Sequence, residues 1–535
     1  MDVPRTAGHF ASELEAKAEK LPDTCIVIFE NDSFPEEVLT YANMVKMGRK
    51  LARALADHGI GKGDTFALLM RNHPEFVYSL YATSILGAVL VPIDPRSRAE
   101  RIRFMLSNSG SKGLIFTSEF LENVEEAVWG LPSLKVVGIV CKDGMDTVQP
   151  DRYPSVNEIL CGPEAPPPDR VDYDIRNPME IIYTSGTTGD PKGVVLKGTR
   201  LAPYAKLFRG VFGYSDDDRL YTGLSLTHGN AQAVTLIPSV FLGIPSVISR
   251  KFTKSRIWDV CSKYGCTTFS LLGGMMMGIY SEPAKPRDAD NPVRLVISAG
   301  TPRPIWEAFE KRFGVLIHEW YGAVEGGFAH KPPGVGPIGS FGKPLEGVTE
   351  MMVVREDGIE CLSNEMGEIV CRNLAEKTEV EYVGKKEASE AKTRGGWLRT
   401  GDVGHKDENG WFFFDYRKGG GLRRSGDFIQ PDYVEAAIAE HPDVSDVCVY
   451  GIPAESGAPG ESDLVAAVVV HEGCSINPAS LFRFLKEKLE KNSIPSYLQM
   501  VKDIPKTVSE KNLDRVLKEE FRKDALGVFP LSDMN

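Results

Sequence analysis

Residues 184–193 read TSGTTGDPKG, ten positions that hold four hydroxyls, three glycines, one proline and one lysine. Glycine lets backbone N–H groups approach a ligand closely, and Ser185, Thr187 and Thr188 add hydroxyl donors. The stretch is therefore able to wrap a polyanion, with Gly186 giving the chain room and Lys192 supplying charge. The same composition also marks surface turns without chemistry. The surroundings decide which reading is stronger. MEIIY (179–183) is a short apolar run, preceded by the proline-rich, polar CGPEAPPPDRVDYDIRNP (161–178), which reads as an irregular connection. The loop thus leaves the end of a predicted strand, where ligands collect in open α/β sheets.

Further out, helical and strand signals alternate. YANMVKMGRKLARALADHGI (41–60) places Met44, Leu51, Leu55 and Ile60 near helical spacing, and TFALLM (65–70) after it is strand-like. GAVLVPID (87–94), KGLIFTS (112–118) and LKVVGIV (134–140) are apolar runs bounded by Gly, Pro or charge, the pattern of strands buried on both faces. The expected fold class is α/β: a large N-terminal part of helix-covered β-sheets. Beyond 417 the pattern changes. PDYVEAAIAEHPDV reads as a helix, DVCVYGIP and DLVAAVVV as strands, and SLFRFLKEKLEKNSI as an amphipathic helix, giving a small α+β unit. The expected division is 1–417 and 418–535.

At 535 residues the chain is too long for one hydrophobic core. Its 62 basic and 74 acidic residues leave a formal charge of −12, the wrong sign for a non-specific binder of nucleic acid or anionic membrane. The nine cysteines include no CxxC pair and no zinc-like spacing with histidine, so they read as free thiols in a reducing compartment. No stretch approaches the ~20 apolar residues of a membrane span, and the N-terminus lacks a basic-then-apolar leader. A cytoplasmic enzyme is expected. Two glycine patterns mislead: GVGPIG (334–339) satisfies GxGxxG but follows HKPP instead of a strand, and Lys192 is followed by Gly193, unlike a Walker loop.

Four further stretches specify the type of phosphate site. TSGTTGDPKG, YGAVE (321–325), TGD (400–402), RKGGGLRRSGDFIQPDYVE (417–435) and PKTVSEK (505–511) occur in the order of the adenylate-forming superfamily. The chain resembles its acyl-CoA synthetase branch over nearly its whole length. The resemblance implies an AMP-forming acid–CoA ligase that uses ATP, Mg²⁺ and coenzyme A, with a small-molecule carboxylate as the other substrate. It implies that Thr184, Ser185, Gly186, Thr187, Thr188 and Lys192 hold the β and γ phosphates. Glu325 would be the Mg²⁺ ligand, Tyr321 the ring against adenine, and Asp402 the acceptor of both ribose hydroxyls. Arg417 would lie near the ribose and phosphates. LVISAGTP (295–302) resembles the lining of the adenine and acyl pockets, with Ala299, Gly300 and Thr301 at the ligand. Lys511 would bridge the substrate carboxylate and α-phosphate from a mobile C-terminal lid. Gly419 would be the hinge, and Arg424, Ser425 and Gly426 would face the thiol in the second step.

Three positions depart from the family pattern. Val324 replaces the usual threonine donor to the α-phosphate, Gly419 replaces a stiffer hinge residue, and Glu510 precedes Lys511 where glycine is usual. In the acyl pocket, His228, Gly229, Gly322 and Ala323 are implied. Gly322 stands where small-acid members carry tryptophan, so acetate is disfavoured. Gly229 offers no carboxylate for an amino group, so amino acids are disfavoured. LTHGNAQ (226–232) and LLGGMMMGIY (271–280) would line a mainly apolar pocket with room beside Gly273 and Gly274, suited to a medium-sized, cyclic or aromatic carboxylate. NSIPSYLQM (492–500) resembles the carnitine/crotonobetaine-type ligases. Two other readings remain open: an enzyme that loads a carrier protein, and a nucleotide-binding pseudoenzyme. A homodimer is compatible with all of them.

Overall fold

A computed structural model describes residues 9–131, 134–140, 153–164, 166–171, 174–184, 191–418, 422–424, 427–429, 431–454, 462–489, 491–506 and 512–534. The apolar runs form a six-stranded sheet in the order Lys135–Val140, Gly113–Thr117, Thr65–Leu69, Val89–Ile93, Pro178–Thr184, Lys192–Lys197. Every neighbouring pair is parallel except the last. Val89–Ile93 and Gly113–Thr117 are buried along their whole length, because helices cover both faces of a parallel sheet. Helix Tyr41–Asp57 starts where the Thr40 hydroxyl accepts from the Asn43 N–H at 3.2 Å. It buries Met44, Val45, Leu51, Ala52 and Leu55, the periodic face expected from the sequence.

A second sheet has thirteen strands and runs from Thr349–Val354 at one edge to Glu37–Thr40 at the other. Its middle is a parallel block containing Leu220–Thr222, Thr268–Leu272, Leu295–Ala299 and Leu316–Ala323. From Leu316–Ala323 the chain turns back into Gly326–Lys331 and an antiparallel block that includes Leu398–Lys406 and Phe412–Arg417. Three of the implied ligand segments therefore start where parallel strands end: the loop after Thr184, the turn after Ala299, and the Tyr321–Glu325 corner.

The last part of the chain builds a four-stranded sheet from Val444–Pro453, Ser462–Val470, Tyr497–Met500 and Val528–Pro530, with helices Pro431–Ala439 and Pro478–Lys488. Its apolar clusters draw on Leu422 and later residues, whereas the cluster reaching furthest along the preceding chain ends at Phe412. The packing partners thus change between Phe412 and Leu422. Among the described residues no helix is long and apolar enough to cross a membrane.

Candidate active site

Asp402 lies on strand Leu398–Lys406 and is only 7% exposed. Its register partner on the next strand is Arg417, whose guanidinium donates to one carboxylate oxygen at 3.2 Å. The Tyr321 hydroxyl donates to the other oxygen at 2.5 Å. Burial, together with this carboxylate, pushes the Tyr321 phenol well above its ordinary pKa, so it stays a donor. The Tyr321 ring stacks on Phe341, centroids 4.4 Å apart. Sheet pairing thus brings together three residues that stand 81 and 15 positions apart in the chain.

Glu325 stands in the corner after Leu316–Ala323, half-buried, and accepts from the Tyr382 hydroxyl at 2.9 Å. Tyr382 is fixed to the antiparallel pair Pro178–Thr184 and Lys192–Lys197: it bridges Val194, and the Lys192 ammonium lies 5.4 Å from its ring centroid. Thr184 pairs across these strands with Lys192, and its hydroxyl donates to the Lys192 carbonyl at 3.3 Å. Among the described residues no group of three or more His, Cys, Asp or Glu could hold a metal by itself. One half-buried carboxylate fits Mg²⁺, which keeps waters and phosphate oxygens as its remaining ligands.

The turn at Gly300 and Thr301 is built around a carboxylate. Glu319, buried in strand Leu316–Ala323, accepts from the Gly300 N–H at 2.6 Å, the Thr301 N–H at 3.2 Å and the Thr301 hydroxyl. Thr301 also bonds Ser298 through its hydroxyl at 2.7 Å, so that hydroxyl is committed to shaping the turn. Burial raises the Glu319 pKa to about 7 against these bonds. Gly300 has φ +82°, and a side chain on Gly273 would meet the Gly300 carbonyl oxygen at 1.8 Å. The space expected beside Gly273 is therefore absent: the glycine is there because backbone fills it. Met275 and Met276 of the same helix are core residues, while Met277 lines the cleft.

At the positions expected to line the acyl pocket, His228 Nδ1 accepts from the Asn230 N–H at 3.2 Å, and a side chain on Gly229 would face Val324 at 3.4 Å and Ile182 at 3.9 Å. Gly229 thus borders the Val324–Glu325 corner. Ala299, Gly322 and Ala323 line the same cleft as His228 and Gly229. A side chain on Gly322 would lie 2.8 Å from the Trp320 ring. Glu180 and Gln232 form a buried pair beneath, Nε2 to Oε1 2.7 Å, and burial pushes Glu180 up to about 7.

Glu180 gives a stability prediction. A carboxyl raised from its ordinary value to about 7 favours the fold below pH 4.5, and that contribution is lost as pH rises through 7. Glu180→Gln keeps an acceptor for Gln232 and should gain about 1–2 kcal/mol over wild type at pH 8, with little difference at pH 4.5. Urea melts at the two pH values measure this; an equal effect at both would mean that Glu180 does not titrate there.

Arg424 sends its guanidinium to the Asn492 carbonyl at 3.1 Å and to the Ile494 carbonyl, a bracing contact inside the C-terminal part. Ser185, Gly186, Thr187, Thr188, Gly419, Ser425, Gly426 and Lys511 lie outside the described residues. Sequence reasoning missed Glu319, Tyr382 and Lys392. Lys392 is half-buried in the cleft and donates to the Thr400 carbonyl at 3.1 Å.

The family described as AMP-binding enzyme matches residues 14–375, and the family described as AMP-binding enzyme C-terminal domain matches 433–511. The chain belongs to the AMP-binding enzymes. Within that family it falls among the AMP-forming acid–CoA ligases, whose substrates include ATP, with Mg²⁺, and coenzyme A. The crotonobetaine/carnitine–CoA ligase of Salmonella paratyphi A is 28% identical over 516 residues, 94% of this chain and 97% of that protein. The O-succinylbenzoate CoA synthetase of Bacillus subtilis, solved with ATP and magnesium, has a TM-score of 0.77 at 26% identity, covering 95% and 99% of the two chains. An anthranilate CoA ligase solved with anthranoyl-AMP shares the fold at a TM-score of 0.83 and 23% identity, covering 97% and 98%.

Proposed function

We propose that this AMP-binding enzyme activates a medium-sized, cyclic or aromatic carboxylic acid and passes it to coenzyme A. The observation that carries the nucleotide half is Asp402, a buried carboxylate presented by two donors beside the Glu325 corner. Asp402 and Arg417 bind and orient the ribose, Tyr321 faces the adenine, and the hairpin from Thr184 to Lys192 holds the β and γ phosphates. Glu325 would hold Mg²⁺, which supplies charge neutralisation on the phosphate oxygens. A substrate carboxylate oxygen then attacks the α-phosphorus and pyrophosphate leaves. Lys511 draws these two anions together. In the second step the thiolate of coenzyme A attacks the acyl carbon, and AMP departs with the oxygen that linked them.

The acid class is supported by the cleft wall, where Ile182, Leu272, Met277 and Ala299 are apolar or small and Gly322 adds no side chain. The chain's similarity to an O-succinylbenzoate ligase agrees with this. Free thiols at all eight described cysteines fit a reducing, cytoplasmic setting. The test is a carboxylate panel scored by pyrophosphate release with and without coenzyme A. Release that needs a cyclic or aromatic acid, with thioester formed only when coenzyme A is present, is expected; transfer only to a phosphopantetheine protein would replace this reading.

Gly322→Trp should shift preference toward short acids, because an added ring on this lining residue would narrow the cleft for larger acids. It must also displace the Trp320 ring, which packs with Phe208, Phe212 and Phe328, so a stability loss of about 1–3 kcal/mol accompanies it. Measured kcat/KM for acetate against benzoate decides: unchanged preference for the larger acid would remove Gly322 from the pocket.

A further inference from the structure

Lys392 ends the short helix Lys386–Lys392, and the only hydrogen bond of its ammonium among the described residues is the one to the Thr400 carbonyl. An ammonium has three donors, so two remain for another partner. It forms no ion pair within 4 Å among the described residues, although Glu325, Arg417, Asp402 and Lys192 all act on its charge through space. Both nearby carboxylates are already committed. Asp402 receives Tyr321 and Arg417, and Glu325 receives Tyr382 and faces the metal position.

Burial depresses the pKa of Lys392, the expected effect on a cation that has given up water without gaining a carboxylate. A lysine kept only for packing or solubility would leave its ammonium in water or pair it. This one is instead braced in place. Ser389 of the same helix accepts from the Tyr382 N–H at 2.9 Å, so the element that carries Lys392 also secures the residue that holds Glu325. On the far side, Thr400 accepts the Asp402 N–H through its hydroxyl at 3.0 Å while its carbonyl takes Lys392. Lys392 thus lies within electrostatic reach of both the metal-side carboxylate and the ribose-side carboxylate. The part of a nucleotide that joins those two positions is its α-phosphate. Val324, beside Glu325, offers no side-chain donor there.

We propose that Lys392 is a ligand of the nucleotide α-phosphate, donating its two remaining N–H groups to that anion. The proposal rests on the adenylating reading of the cleft. The oxygen that bears charge as pyrophosphate leaves is on the same phosphorus, so the contact serves both binding and the first chemical step.

The experiment compares adenosine, AMP and ATP binding by calorimetry on wild type, Lys392→Met and Lys392→Gln. Methionine keeps the apolar stem; glutamine keeps a donor for the Thr400 carbonyl, so a variant that loses the helix brace is distinguished from one that loses only the charge. Both should bind AMP and ATP about 10- to 100-fold more weakly, with adenosine affinity unchanged within about twofold and the melting temperature preserved in Lys392→Gln. Equal losses for adenosine and AMP would overturn the proposal and make Lys392 a brace for the ribose side. Unchanged AMP affinity in both variants would also overturn it. If wild type itself bound neither AMP nor ATP, the adenylating reading would fail along with it.

Discussion

Lys511→Ala is expected to cut carboxylate-dependent pyrophosphate release by about 10²–10³-fold or more, while sparing thioester formation from a presynthesised acyl-adenylate. The reason is electrostatic. The first step brings a carboxylate against a phosphate, two anions whose repulsion must be offset where water is largely excluded. The second step involves a neutral acyl carbon and a thiolate, for which a lysine between carboxylate and phosphate has no work. Gly419→Pro should fail in the opposite sense. Proline fixes φ near −65° and costs most where a backbone must visit two conformations, so transfer to coenzyme A is lost while the first step is retained. Rapid-quench measurement of both half-reactions on both variants is the check. Equal loss of both steps in each variant would sink the division of labour between the two positions.

Asp402→Ala should weaken ATP and adenosine binding alike, by about 2–3 kcal/mol, because a charge-assisted acceptor is removed from a buried site. The partners left behind add to the effect. The Tyr321 hydroxyl, held at 2.5 Å from the carboxylate, and the Arg417 guanidinium at 3.2 Å would both lose their acceptor. Asp402→Asn should recover part of the loss, since an amide oxygen still accepts from Tyr321 but pairs poorly with Arg417. Calorimetric titration with adenosine is decisive: affinity unchanged in Asp402→Ala would take the residue out of the nucleotide site.

How much of this was legible in the sequence depended on whether the signal was local. The strands Val89–Ile93, Gly113–Thr117 and Pro178–Thr184 followed from short apolar runs between breakers. Asp402, Tyr321 and Glu325 were reached through ordered motifs, and the structure brings Asp402 and Tyr321 into contact. The supporting residues were not legible. Glu319 sits in a strand where nothing in the sequence separates a buried carboxylate from a solvated one, and its function is visible only when the Gly300–Thr301 turn arrives from another strand. Lys392 and Tyr382 belong to EYVGKKEASEAK, a charged stretch whose helix Lys386–Lys392 has no fully buried residue, so nothing in the sequence sets the half-buried Lys392 apart from its solvated neighbours. Gly273 was misread for a related reason. A glycine in an apolar run signals space, but sequence does not say whether ligand or backbone takes it, and here the Gly300 carbonyl does.

The central claim is that the acid is activated as an acyl-adenylate before the thiol attacks. Supplying a carboxylate labelled with ¹⁸O on both oxygens, with ATP and coenzyme A, and weighing the nucleotide and phosphate products follows the oxygen directly. One labelled oxygen in AMP, and none in pyrophosphate, is the predicted result. Label in inorganic phosphate with ADP as the nucleotide product would mean attack at the γ-phosphorus through an acyl phosphate, and would contradict the account.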